Sequence, residues 1–159
     1  MPIFPKKIRY MNSFTWTLQI FDDLTNKQLY AILKLRCEVF IVEQACNYQD
    51  IDGKDLKSFH LCGWDGDNLV AYARLLPAGV SFNEVSIGRV LSSPAYRRQG
   101  AGIGLMQNAI ANCYEKFGKQ SIRIGAQLYL QKFYSSFGFI KDSDMYLEDD
   151  IEHIEMILP

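Results

Sequence analysis

The sequence predicts a single domain of the α+β (mixed α/β) class, with a central sheet flanked by helices. Three observations predict it. A period-two segment is followed by a capped amphipathic helix. An Asp-Gly step joins two apolar runs in the manner of a hairpin. A glycine-rich turn then leads into a longer amphipathic helix. With 159 residues, 48% hydrophobic and 22% charged, the chain can bury one real core and is short for two domains.

Residues 1–12 contain Pro2, Pro5 and a Lys6-Lys7-Ile8-Arg9 cluster, and are expected to form a flexible N-terminal arm before a domain at 13–159. Their basic residues are not followed by an apolar stretch, so they make a poor signal peptide. No run of 18 apolar residues is present to span a membrane. The expected location is the cytoplasm. A net charge of -1 with no basic stripe argues against a nucleic-acid partner.

Phe14 to Ile20 alternates apolar and polar side chains, the mark of a half-buried strand. Thr25 and Gln28 have capping-box spacing, and Leu24 and Leu29 flank them as a staple. The helix that follows places Leu29, Ile32, Leu33, Arg36, Val39 and Phe40 on one face. Arg36 interrupts that stripe. It reads either as an edge residue with a packed stem or as a partner for an acid or an anionic substrate. The polar stretch Asn47–Lys57 carries Asp50, Asp52 and Asp55. Its glycine falls too early for a calcium loop, so those acids read as a solvated turn.

Ser58–Trp64 and Leu69–Leu76 are strand-like and joined by Asp65-Gly66-Asp67-Asn68; Phe82–Leu91 makes a third strand. Ile103, Met106, Ile110, Cys113, Tyr114 and Phe117 line one face of a long helix that Gly118 closes. Ser121–Gly125 is a short strand. Leu130, Phe133, Tyr134 and Phe137 give a further helix face, and Phe139-Ile140 and Ile151–Leu158 supply the last strands. Cys37, Cys46, Cys62 and Cys113 lack metal-ligand spacing and read as reduced thiols. Both histidines are isolated, so no metal is expected.

The turn Arg97-Arg98-Gln99-Gly100-Ala101-Gly102-Ile103-Gly104 carries the chemistry. Glycines let successive backbone N–H groups converge, and the helix start adds about half a positive charge. The result is an anion nest for a phosphate or diphosphate, with Arg97 and Arg98 as cationic donors beside it. No Lys-Ser/Thr pair follows, which excludes a P-loop. Leu105 stands where a Rossmann turn has its third glycine. The pattern R/Q-x-x-G-x-G/A fits instead, through Arg97, Gly100 and Gly102.

That pattern belongs to the GNAT acetyltransferases, and the resemblance extends further. IGRVLSSPAYRRQGAGIGL, at Ile87–Leu105, resembles their motif A, and QLYLQKFYSSFGF, at Gln127–Phe139, resembles motif B. LRCEVFIVEQ, YQDIDG, LVAYARLL and the terminal HIEM are similar to the ElaA-type branch. The resemblance covers most of the chain after Thr15 and implies a GNAT-like fold with a mostly antiparallel twisted sheet. It also implies transfer of an acetyl group from acetyl-CoA to a primary amine, without a metal. Backbone groups of Val90, Leu91 and Ser92 would meet the pantetheine arm and the acetyl carbonyl. Those of Arg98, Gln99, Gly100, Ala101, Gly102 and Ile103 would hold the diphosphate, with Arg97 and Gly104 in the same turn. Gln127 stands where the family usually has an asparagine. Tyr134 matches the tyrosine proposed as general acid, and a phenol is protonated at neutral pH.

The base is not marked, because Ile122 stands where some members carry a glutamate. Glu84, His153, Glu43 and Asp52 are candidates, with His153 favoured by the ordinary pKa of imidazole. Arg36, Asp50 and Asp52 are expected near the acceptor, where acids would attract a cationic amine. Two alternatives are a non-catalytic acyl-CoA-binding sensor and an enzyme like the acyl-homoserine lactone synthases. The expected partners are acetyl-CoA and an amine-bearing small molecule or peptide, with a homodimer open by base rate.

Overall fold

The computed structural model describes residues 13–159; the arm expected at 1–12 lies outside the described residues. Eight strands form one mixed, mostly antiparallel sheet: β1 (Thr15–Ile20), β2 (Phe59–Asp65), β3 (Asn68–Leu76), β4 (Val85–Ser92), β5 (Ile122–Gln127), β6 (Ile140–Lys141), β7 (Tyr146–Glu148) and β8 (Ile151–Leu158). Their order is β1-β2-β3-β4-β5-β8-β6, with β7 also on β8. The α-helices are α1 (Asn26–Arg36), α2 (Ala101–Phe117) and α3 (Gln131–Ser135).

Thr25 caps α1 as its spacing predicts: its side chain accepts from Gln28 N at 3.1 Å, and Gln28 Oε1 accepts from Thr25 N at 2.9 Å. Beyond Arg36 the helix widens into a π turn, Cys37–Glu43. That shifts the stripe and brings Val39, Phe40 and Glu43 to one cleft wall.

β3 shows why the sheet needs helices on both faces. Its side chains alternate. Ala71, Ala73 and Leu75 pack with Leu105, Met106, Ala109 and Cys113 of α2, whereas Tyr72 packs with Ile32, Leu35 and Val39 on the α1 side. Both faces are covered, so β3 is buried from Val70 to Leu76.

Several boundaries differ from the sequence reading. The third strand begins at Val85 instead of Phe82, because Pro77–Glu84 forms a connection in which Gly79 N donates to Phe82 O at 2.7 Å. The helix expected around Leu130–Phe137 shrinks to α3 behind a 3-10 turn, Leu128–Leu130. β7 was not expected from sequence. Its three residues are exposed or half-buried, too short for a periodic signal.

Candidate active site

β4 and β5 run parallel but pair at only two positions, Val85↔Ile122 and Ser86↔Arg123. Beyond them the strands part, and among the described residues one edge of β4 has no strand partner. The cause lies in β4. Between the pairs Tyr72↔Leu91 and Arg74↔Gly88, β3 advances two residues while β4 advances three. This bulge puts Arg89 at φ 49, in the left-handed region. A bulge bends its strand and strengthens the local twist, which turns β4 away from β5.

The gap opens into a cavity of about 620 Å³. Val90, Leu91 and Ser92 line it from β4, and Gln127 from the end of β5. Arg97, Arg98, Gly100, Ala101, Gly102 and Ile103 line it from the turn before and into α2. Arg98 has φ 62 and Gly100 φ 81. Left-handed residues at a helix entry turn successive amides toward one point, the geometry of an anion nest.

Gln99 and Gly104, which the sequence reading grouped with this turn, do not line the cavity. Gln99 Nε2 donates to Ala95 O at 3.4 Å. Gly104 N donates to Gly100 O at 3.0 Å inside the helix, and a Cβ there would lie 2.9 Å from Trp16 Cζ2. Gly104 is a packing glycine, and its role as a nest glycine is corrected accordingly.

Tyr134 lines the cavity and is only 5% exposed. Its ring packs edge-on to Phe133 and Phe139, with centroids 5.2 Å and 6.1 Å away. Burial, with a smaller contribution from Tyr129, pushes its phenol well above the usual range, so it stays protonated. Among the described residues its hydroxyl takes part in no hydrogen bond.

His153 also lines the cavity and is stacked on Tyr146 at 5.9 Å. Its Nδ1 lies 2.8 Å from Ile151 O, a carbonyl that can only accept. This contact calls for a proton on Nδ1. Nε2 lies 3.5 Å from Glu148 Oε2, another residue of the cavity wall.

Glu43 lines the wall too, but its carboxylate is held by Arg97, with Arg97 Nη1 and Nη2 donating at 3.0 Å and 2.6 Å. Next to it, Gln44 Oε1 accepts from Gln127 Nε2 at 3.2 Å. That bond ties the π turn to the end of β5.

Glu84 does not line the cavity. It accepts from Arg123 Nε at 2.8 Å, and that hydrogen bond holds its carboxyl below the usual range. The suggestion that it is a base is withdrawn on position alone.

Arg36, Asp50 and Asp52 are likewise absent from the cavity wall. They belong to a network on the α1 face of the sheet. Arg36, fully buried, donates to Asp50 Oδ2 at 2.9 Å and Asp55 Oδ1 at 2.7 Å. Arg74 donates to Asp52 through two nitrogens, each at 2.7 Å, and to Asp55 at 3.1 Å. Arg89 Nε lies 2.7 Å from Asp50 Oδ1. Burial alone would raise the Asp55 carboxyl, but hydrogen bonds and charge from Arg36 and Arg74 outweigh it and hold it below the usual range. Asp50 and Asp55 are buried, which corrects the solvated-turn reading. Arg36 proves to be a partner for acids, not for a substrate. The sequence signal was Arg36 inside an apolar stripe, but nothing local named Arg74 and Arg89 as its neighbours.

A sheet opened between two parallel strands, with an anion nest at the mouth, defines an acyltransferase once its relatives are considered. An acyl-CoA N-acyltransferase from Pseudomonas aeruginosa, known by crystal structure, is 44% identical, with a TM-score of 0.88 over 92% of this chain and 100% of that one. The Acetyltransferase (GNAT) domain matches residues 21–159, so the chain belongs to the GNAT acetyltransferase family. Within it the chain is ElaA-like: it is 48% identical over 137 residues to Protein ElaA of Escherichia coli (strain K12), covering 85% of this chain and 90% of that protein. The crystal structure of Escherichia coli ElaA superposes with a TM-score of 0.87 over 92% of this chain and all of that one. A CoA-dependent acyl-homoserine lactone synthase has a TM-score of 0.74 over 92% of this chain and 84% of that one, but 13% identity, which speaks for the fold alone.

Among the described residues no helix is long and apolar enough to cross a membrane.

Proposed function

We propose that the chain is an N-acetyltransferase that moves an acetyl group from acetyl-CoA to a primary amine by direct attack. The observation that carries this reading is the parting of β4 from β5 beside the nest at Arg98–Gly102. The unpaired edge of β4 can bond an extended pantetheine arm as a strand would. The nest and helix start suit its diphosphate. Amides at Val90 and Leu91 would stabilise the oxyanion of the tetrahedral intermediate.

The amine nitrogen attacks the thioester carbonyl, the C–S bond breaks, and CoA leaves as a thiolate. Tyr134 supplies the proton to that sulfur, a task for which a phenol kept protonated by its surroundings is suited. His153, in the neutral form with its proton on Nδ1, removes the proton from the incoming ammonium or the attacking nitrogen, with Glu148 Oε2 3.5 Å from Nε2 to hold the imidazolium that forms. Direct transfer is favoured over a cysteinyl intermediate. No cysteine lines the cavity, and burial pushes the Cys62 and Cys113 thiols up to about 12.

The test is calorimetric binding of acetyl-CoA, followed by thiol release with a panel of amines. Tight binding with amine-dependent thiol release is the expected result. Binding without turnover would favour the acyl-CoA-binding sensor. Failure to bind any CoA thioester would end the acyltransfer reading.

A further inference from the structure

The carboxylate of Glu43 occupies Arg97 at the rim of the nest, where the proposed cofactor would bring its own anion. Both side chains line the cavity, in a two-pronged contact at 3.0 Å and 2.6 Å. Both are also substantially exposed, at 42% and 40%. An ion pair so open to water is weak and readily exchanged. A diphosphate carries more charge than a carboxylate and presents several oxygens to a guanidinium fork, so it competes well for Arg97.

Glu43 also shares a cavity wall with the residues proposed for transfer. Its neighbour Gln44 bonds Gln127, and Gln127 is the register partner of His153. A carboxylate released from Arg97 at this point faces the same cavity as His153 and Glu148.

We propose that Arg97 exchanges Glu43 for the diphosphate of the bound cofactor, and that the released Glu43 carboxylate then anchors a cationic acceptor. The inference rests on the acyltransfer reading above and deepens it. Glu43 opposes cofactor binding and favours acceptor binding, so one substitution moves the two affinities in opposite directions. Loss of packing alone would weaken both.

The first arm titrates CoA into the wild-type protein and into Glu43→Gln by calorimetry. The variant binds CoA about two- to fivefold more tightly, the scale of an exposed ion pair. Pantetheine, which lacks the diphosphate, binds the two proteins equally. In an Arg97→Gln background, Glu43→Gln leaves CoA affinity unchanged. The second arm uses any amine that supports thiol release. Glu43→Gln raises KM for that amine about tenfold while KM for acetyl-CoA falls. Equal or weaker CoA binding by Glu43→Gln overturns the exchange, and an unchanged amine KM overturns the anchoring role. If the wild type binds no CoA at all, the acyltransfer reading itself has failed.

Discussion

The indole of Trp16 is wedged between two glycines: a Cβ on Gly63 would lie 2.7 Å from its ring, and one on Gly104 would lie 2.9 Å from it. This contact joins β1, β2 and α2 just behind the anion nest. Gly104→Ala gains about 1 kcal/mol of helix propensity. It also forces a methyl against the half-buried Trp16 ring, which costs about 1–3 kcal/mol. The net expectation is a loss of up to about 2 kcal/mol in urea unfolding. A stabilised variant would show that the ring has room to move.

Asp55 ties Arg36 to Arg74 within the buried network. Asp55→Asn leaves both cations short of a counter-charge and is expected to cost about 3–5 kcal/mol at pH 7. The sign with pH follows from the lowered carboxyl. The folded state binds this proton less readily than the unfolded chain, so the stabilisation is complete above the unfolded value of about 3.9. It fades as pH falls through the folded value. Urea melts should therefore show the gap between wild type and variant narrowing below about pH 4. A gap that stays constant down to pH 2 would contradict this assignment.

Tyr134→Phe separates chemistry from binding. The hydroxyl holds nothing within the described chain, so thermal stability and CoA affinity should stay close to wild type. Turnover should fall by about 10²–10⁴-fold, the range for loss of a general acid. Steady-state thiol release checks this, and unchanged turnover would remove Tyr134 from the mechanism.

His153→Gln removes the Nε2 lone pair but keeps a polar side chain beside Tyr146. Turnover at neutral pH is expected to drop by about 10²-fold or more. The deficit should shrink as pH rises, because the acceptor amine then arrives already deprotonated and needs no base. A pH-rate profile for each protein tests this. A deficit that does not vary with pH would point to a structural role for His153.

The parts of this protein legible from sequence are those with a local cause. Thr25 and Gln28 announce their capping box because both partners lie within one turn. Gly66 and its acidic neighbours announce the β2–β3 hairpin for the same reason. The run from Arg98 to Ile103 reads as a nest because its glycines and the following helix are contiguous. Gly104 misled within the same run. A glycine required for close packing and one required for backbone freedom look identical in a sequence, and only the approach of Trp16 from β1 distinguishes them.

Tertiary structure alone decided which titratable groups meet. Arg36, Asp50, Arg74 and Arg89 come from four separate segments, and their burial as one network depends on how α1 and the 50–55 loop lie on the sheet. The same holds for Glu43 and Arg97, and for His153 at the cavity while Glu84 lies outside it. Local backbone preference and hydrophobic period act over a few residues, so the chain's sequence by itself determines most of its elements and the glycine-rich turn proposed to hold the diphosphate. Electrostatic pairing acts through space, so it is settled only once the sheet has assembled and parted between β4 and β5.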